Sequence, residues 1–185
     1  MTLTNTNQSY GSIAKFFHWL IALLVIILLI VGYSMDQIGD KSIKLQVFNL
    51  HKLFGLTVLA LITLRLLWRW ANPVPLLPPE MALWEKTLEK TVKLFFYIAL
   101  FIMPLSGWTF STAAGHPPHI GSYTLAAPFV PLSKTLADQI FNIHAAFAVI
   151  VIGLLCLHIA GAFKHHFINK DNILLRMLPK MFGGK

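Results

Sequence analysis

The sequence predicts an all-α integral membrane protein, a four-transmembrane-helix bundle with both termini cytoplasmic. Three observations carry this expectation. Only 12% of the 185 residues are charged and 56% are hydrophobic, whereas soluble domains carry about 25% charged residues. Four apolar stretches are each long enough to cross a bilayer, which takes ~20 residues. The cations collect on one side of those stretches, as the positive-inside rule requires of the cytoplasmic side. At this length the chain is expected to form one membrane domain over residues 1–185.

The first span is placed at about residues 16–35, on the run LIALLVIILLIVGY. Only Lys15 precedes it closely, and no small-residue cleavage site follows, so it reads as a span and not as a removable signal. The second is placed at 47–70 and ends at the proline-rich connector 72–79. The third is placed at 94–114, with Pro104 expected to kink it, and the fourth at 140–163. Stretches so long and so uniformly apolar suit helices and not alternating barrel strands.

Lys15, Arg65, Arg69, Lys86, Lys90, Lys93, Lys164, Lys170, Arg176, Lys180 and Lys185 fall on the side of the termini, eleven of the fifteen cations. Lys41, Lys44, Lys52 and Lys134 fall on the other. The formal net charge of +8 therefore reads as an orientation signal. No Lys/Arg patch with interleaved aromatics is present, which argues against nucleic acid and leaves lipid as the expected surroundings. Cys156 lies inside an apolar run and reads as a small packing residue.

Eight histidines are many for a lipid-embedded chain. His18 falls near the start of helix 1 and His51 in the first turns of helix 2; His144 and His158 both fall on helix 4. The last two are fourteen residues apart, about four turns, so they share a face at a separation of ~21 Å. Depth then pairs His18 with His158 at the cytoplasmic level and His51 with His144 at the outer level. Polar groups in hydrocarbon are costly and therefore functional candidates. Zinc wants four protein ligands and a di-iron site wants paired carboxylates, but no span carries Asp or Glu in its core. Two ligands per level suit a porphyrin, which brings four nitrogens of its own, so each pair could clamp one haem iron.

Gly55, one turn after His51, together with Gly161, Ala162 and Ala148, leaves either room for a macrocycle edge or close helix packing. Arg65 lies fourteen residues after His51, on nearly the same face at the inner level. It reads as a partner for a haem propionate or as a snorkelling cation. Lys52 is the corresponding candidate at the outer level. The loop segment His116-Pro-Pro-His119 reads as a turn, the alternative being a cover over the outer pair.

Five segments together resemble the bacterial cytochrome b561 family: IAKFFHWL at 13–20, NLHKLFG at 49–55, NIHA at 142–145, LHIAGAFKHHF at 157–167 and NKDNILLRMLP at 169–179. The likeness covers almost the whole chain. It implies a di-haem protein of the bacterial inner membrane with His18, His51, His144 and His158 as ligands, and a quinone partner. Some members of that family oxidise superoxide at the outer face and pass the electron to ubiquinone, which makes His165 and Lys170 quinone-contacting candidates. The same exit sequence also reads as a cationic anchor.

The expected function is electron transport from an outer donor, superoxide being one candidate, to quinone. The outer loops carry four cations against Asp36, Asp40 and Asp138, a weak attraction for an anionic donor. Two rival readings remain at the level of sequence. One is a haem b subunit that relays electrons for a docked dehydrogenase or hydrogenase, a redox partner protein. The other is a haem-free scaffold or transporter subunit.

Overall fold

A computed structural model describes residues 2–179. Lys180 and Lys185, counted above among the cytoplasmic cations, lie outside the described residues. Four long helices dominate: α1 (Ser12–Ser34), α2 (Lys41–Trp70), α3 (Leu83–Ala113) and α4 (Lys134–Phe163). All four are long and apolar enough to cross a membrane. A 3-10 turn, Met35–Gln37, joins α1 to α2; a π-helical turn, Lys164–Ile168, continues α4, and a short α5 (Ile173–Met177) follows.

The helices outrun the apolar stretches that announce them. α2 begins at Lys41, where Asp40 accepts from Ile43 N at 2.9 Å. α4 begins at Lys134, where Ser133 accepts from Leu136 N at 3.3 Å. These side chains satisfy amides that would otherwise be orphaned at a helix start. α3 begins at Leu83, so Lys86, Lys90 and Lys93 ride on the helix and not in a connector. His51 consequently sits nearly three turns into α2 and not in its first turns. α3 continues through Pro104.

Successive helices pack side by side: α1 on α2, α2 on α3, α3 on α4. The tightest core lies between α3 and α4, where Ala99, Val151 and Leu154 are buried against Val25, Leu29, Phe96, Met103 and Phe147. Ala99 lets the α3 and α4 backbones close up, the usual device where lipid removes the hydrophobic incentive to associate. The outward faces remain apolar: Ile30, Val149 and Leu157 are 63%, 70% and 56% exposed. That is a surface for acyl chains.

The end carrying both termini is knitted from three segments. Leu76 N donates to Asn7 O at 3.0 Å, Asn5 Nδ2 to Pro73 O at 3.0 Å, Lys15 Nζ to Leu178 O at 2.8 Å and Trp19 Nε1 to Met177 O at 3.0 Å. The opposite, loop end carries, among the described residues, the one feature outside the all-α expectation. It is a hairpin in which β1 (His119–Ile120) pairs antiparallel with β2 (Tyr123–Thr124), too short and polar for an apolar pattern to reveal. Trp108 Nε1 donates to Leu125 O at 2.7 Å, tying this loop to α3.

Asn49 grips the hairpin from α2 with both ends of its amide: Nδ2 donates to His119 O and Oδ1 accepts from His119 N, each at 2.9 Å. Asn49→Ala is expected to lower stability by about 1–3 kcal/mol, two ordinary hydrogen bonds. Amide exchange should rise selectively over residues 116–125, and uniform exchange across the bundle would contradict the clamp.

Candidate functional site

The four histidines singled out in the sequence come together in two pairs. Near the termini end, the His18 and His158 ring centroids are 6.0 Å apart with planes at 68°. Near the loop end, His51 and His144 are 6.4 Å apart at 78°. An imidazole centre lies ~1.2 Å from its nitrogens, and with metal–nitrogen bonds of ~2.0–2.1 Å two rings sharing one metal stand about 6.4 Å apart. The loop-end pair has that spacing, and the termini-end pair, at 6.0 Å, stands slightly inside it. Among the described residues no cluster of three or more His, Cys, Asp or Glu side chains forms, so each level offers two nitrogens and a metal there needs the rest of its ligands from elsewhere.

The surroundings of the rings differ. His144 Nδ1 lies 2.8 Å from Met103 O and 3.2 Å from Ser106 Oγ. Ser106 Oγ itself donates to that carbonyl at 2.8 Å, so the carbonyl receives the Nδ1 proton and Nε2 keeps its lone pair. His51 Nδ1 is buried with no hydrogen-bond partner among the described residues, an orphan that is expensive in a lipid-embedded helix. At the other level, Arg65 Nη1 donates to His18 Nδ1 at 3.1 Å. A guanidinium only donates, so it holds the neutral His18 ring with its proton on Nε2. Arg65 and a metal on Nε2 are thus competing partners for His18.

α3 brings no histidine, yet it furnishes a wall at both levels. Phe96 packs edge-on against His158 at 5.5 Å, and Phe110 lies 5.8 Å from His144. Two glycines make space for the loop-end rings. A Cβ on Gly107 would come 2.9 Å from His144 Cε1, and one on Gly32 would come 3.1 Å from His51 Cε1. Sequence reasoning passed over all four residues. The spacing that paired the histidines could have found three of them, because Gly32 follows His18, and Phe110 follows Phe96, by the same fourteen residues, whereas Gly107 carries no such mark. By contrast, a Cβ added at Gly55 or at Gly161 would meet nothing within 4 Å, which removes close packing as the explanation of those two glycines.

Fourteen-residue repetition on all four helices, with imidazoles facing in pairs at two levels, is the arrangement against which known proteins can be compared. The model of the prokaryotic cytochrome b561 family matches residues 9–180. The chain belongs to the prokaryotic cytochrome b561 family. Cytochrome b561 homolog 2 of Escherichia coli (strain K12) is 31% identical over 188 residues, covering 97% of this chain and 96% of that protein. Cytochrome b561 homolog 1 of the same organism is 28% identical over 169 residues, 89% and 94% of the two chains. The probable superoxide oxidase CybB of Yersinia pestis is 26% identical over 184 residues, 96% and 99%. Membership makes the chain a multi-pass bacterial membrane protein of electron transfer with haem b as its cofactor, and the facing imidazoles fit that group.

The remaining sequence candidates fall at the two ends. Lys52 Nζ donates to His116 O at 2.7 Å, so the His116-Pro-Pro-His119 segment is fastened to α2 on either side of His51, by Lys52 and Asn49. In this b561 chain the segment is thus a turn fastened to α2 at the loop-end level. His165 Nδ1 lies 2.6 Å from Asp171 Oδ2. Lys170 adopts φ 55° and lines a cleft with Pro78, Pro79, Glu80, Asp171 and Arg176.

Gly107→Val is expected to destabilise the cytochrome by about 1–3 kcal/mol through overpacking against His144. Gly153→Val, where an added Cβ meets nothing within 4 Å, is the control and should melt as the wild type does. Equal melting temperatures for the two variants in detergent would contradict the close approach.

Proposed function

We propose that the chain is a di-haem b-type cytochrome carrying electrons from a donor at the loop end, superoxide being the candidate, to quinone at the termini end. In this reading both termini are cytoplasmic, His18 with His158 holds one haem, and His51 with His144 holds the other. The observation that carries it is the pair of imidazole spacings, 6.0 and 6.4 Å, on a family whose cofactor is haem b. Bound haem supplies reversible one-electron chemistry, with potentials set by its ligands and their hydrogen bonds.

The chain's own residues do the rest. Met103 O fixes the tautomer of His144 and presents Nε2. Arg65 must leave His18 when that ring takes a metal; its fork then suits a propionate at the same level. Lys52 spends one N–H on His116 O and keeps two for a carboxylate. The apolar residues between the levels, Val58, Ile62, Ala99 and Val151, hold water away from the path. Gly55 lies beside the His51 level and leaves room for a macrocycle edge. His165 and Lys170 stand at the termini end as the quinone-contacting candidates.

Superoxide is favoured by the likeness to the Yersinia pestis relative named a probable superoxide oxidase. Electrostatic steering adds little. Of the loop-end cations, Lys44 is already paired with Asp36 at 2.7 Å and Lys52 is bonded to the loop.

The reduced-minus-oxidised spectrum of purified protein should show b-type bands, with two haems per chain. His51→Ala and His144→Ala should each remove the same one, and His18→Ala and His158→Ala the other. Superoxide with ubiquinone should yield quinol. Depletion of one common haem by His18→Ala and His51→Ala would overturn the pairing, and absent b-type bands the whole reading.

A further inference from the structure

At the termini end the backbone makes two irregular moves in close succession. α4 widens into the π turn Lys164–Ile168, and Lys170 then adopts the left-handed φ of 55°, a conformation that residues other than glycine adopt uncommonly. The result is a tight return. Asp171 N donates to His165 O at 3.1 Å, and Asp171 Oδ2 comes to 2.6 Å from His165 Nδ1. The other carboxylate oxygen accepts from Ile173 N at 2.9 Å, so the start of α5 holds Asp171 in place. Both side chains are mostly enclosed, 12% and 18% exposed.

An ionised carboxylate only accepts, so Nδ1 carries the proton of that bond and Nε2 is the ring nitrogen left for other work. Asn169 Nδ2 also approaches Nδ1, but at 3.3 Å, and the shorter, charge-assisted contact decides the tautomer. Asp171 at the same time lines a cleft of about 380 Å³ with Pro78, Pro79, Glu80, Lys170, Asn172 and Arg176. The imidazole therefore stands next to a residue that opens on solvent. The charged groups facing it are Asp171, from the tail, and the Glu85–Lys164 ion pair between α3 and the π turn.

We propose that His165 is the proton donor to quinone and that Asp171 is its positioning residue. This rests on the reading of quinone reduction at the termini end and adds what that reading lacks, a source of protons. Ubiquinone becomes ubiquinol by gaining two electrons and two protons. The electrons come singly from the loop-end donor, two superoxide anions leaving as two O₂. Each proton passes from protonated His165 Nε2 to a quinone oxygen, and the ring is reprotonated by a proton taken from solvent at the termini end. Asp171 stays ionised throughout; it fixes the ring and stabilises its cationic form, as the carboxylate does in other carboxylate–histidine pairs.

The test compares two acceptors on chemically reduced, haem-loaded protein: ubiquinone, which needs protons, and ferricyanide, which takes electrons alone. Asp171→Asn keeps an oxygen for the Ile173 amide but removes the charge. Its reoxidation by ubiquinone should slow about tenfold or more, the lower range of what a positioned acid contributes, and gain a larger solvent deuterium isotope effect than the wild type has. Reoxidation by ferricyanide should not change. His165→Gln should behave alike, and Asp171→Glu should restore most of the rate. The ¹⁵N shifts of His165 should report one tautomer in the wild type and a mixture in Asp171→Leu. A wild-type ubiquinone rate in Asp171→Asn overturns the proposal, as does equal slowing with both acceptors. Wild-type protein that ubiquinone cannot reoxidise at all sinks the quinone reading itself, and this inference with it.

Discussion

Imidazoles inside hydrocarbon must be compensated, and the geometry of the α-helix decides where compensation can be found. Fourteen residues make just under four turns and ~21 Å of rise, so a side chain recurs on nearly the same face at the opposite membrane level. α4 uses this interval for His144 and His158, α2 for His51 and Arg65, α1 for His18 and Gly32, and α3 for Phe96 and Phe110. Because neighbouring helices run in opposite directions, the four repeats fall into register as two levels. Each level has two facing imidazoles, one aromatic wall from α3, and a third contribution that differs: small residues at the loop end, a cation at the termini end. The bundle reads as two similar sites stacked along one axis.

The difference between the levels has chemical weight. At the loop end His144 is anchored through Nδ1 to a backbone carbonyl, an arrangement that cannot move without unwinding α3, and Gly32 and Gly107 admit the rings. At the termini end His18 is held by the Arg65 guanidinium, which would have to give way to a metal on that ring. In the proposed reading the loop-end level would be largely preformed, and the other would reorganise on loading. A hydrogen bond from a ligand imidazole to a fixed carbonyl raises the basicity of the ligand, and a cation nearby opposes positive charge on the metal. In the proposed di-haem reading the two levels would therefore hold different potentials.

Much of this was legible in the sequence because it is one-dimensional. Span number follows from lengths of apolar runs, and the pairing of His18 with His158 and of His51 with His144 follows from counting residues along helices of known pitch. The ring pairs at 6.0 and 6.4 Å agree with that pairing. What escaped depends on contact between segments remote in sequence. Nothing local to Gly107 says that His144 will lie against it, and nothing local to Asn49 says that it will grip His119. The helix starts lie outside the apolar runs for a different reason. Apolar composition marks where lipid is, whereas Asp40 and Ser133 mark where backbone hydrogen bonding begins, and the two differ by six residues at each helix. Asp171 escaped because its partnership with His165 depends on one left-handed residue, Lys170, whose type gives no hint of it.

The two ends also divide the work in a way that lipid itself imposes. An electron can pass between levels separated by packed Val58, Ile62, Ala99 and Val151, but a proton needs a chain of polar groups, and those residues offer none. Any chemistry that couples electrons to protons must therefore complete itself at one face with protons from that face. In the proposed reading the loop end only receives electrons, so a backbone carbonyl, two glycines and a clamped turn suffice there. The termini end must also supply protons. There a π turn and a left-handed lysine fold a carboxylate back onto an imidazole, and that carboxylate lines a cleft. With the termini in the cytoplasm, electrons would enter from outside and protons from inside, so each turnover would move charge across the membrane as a consequence of where the polar groups were allowed to stand.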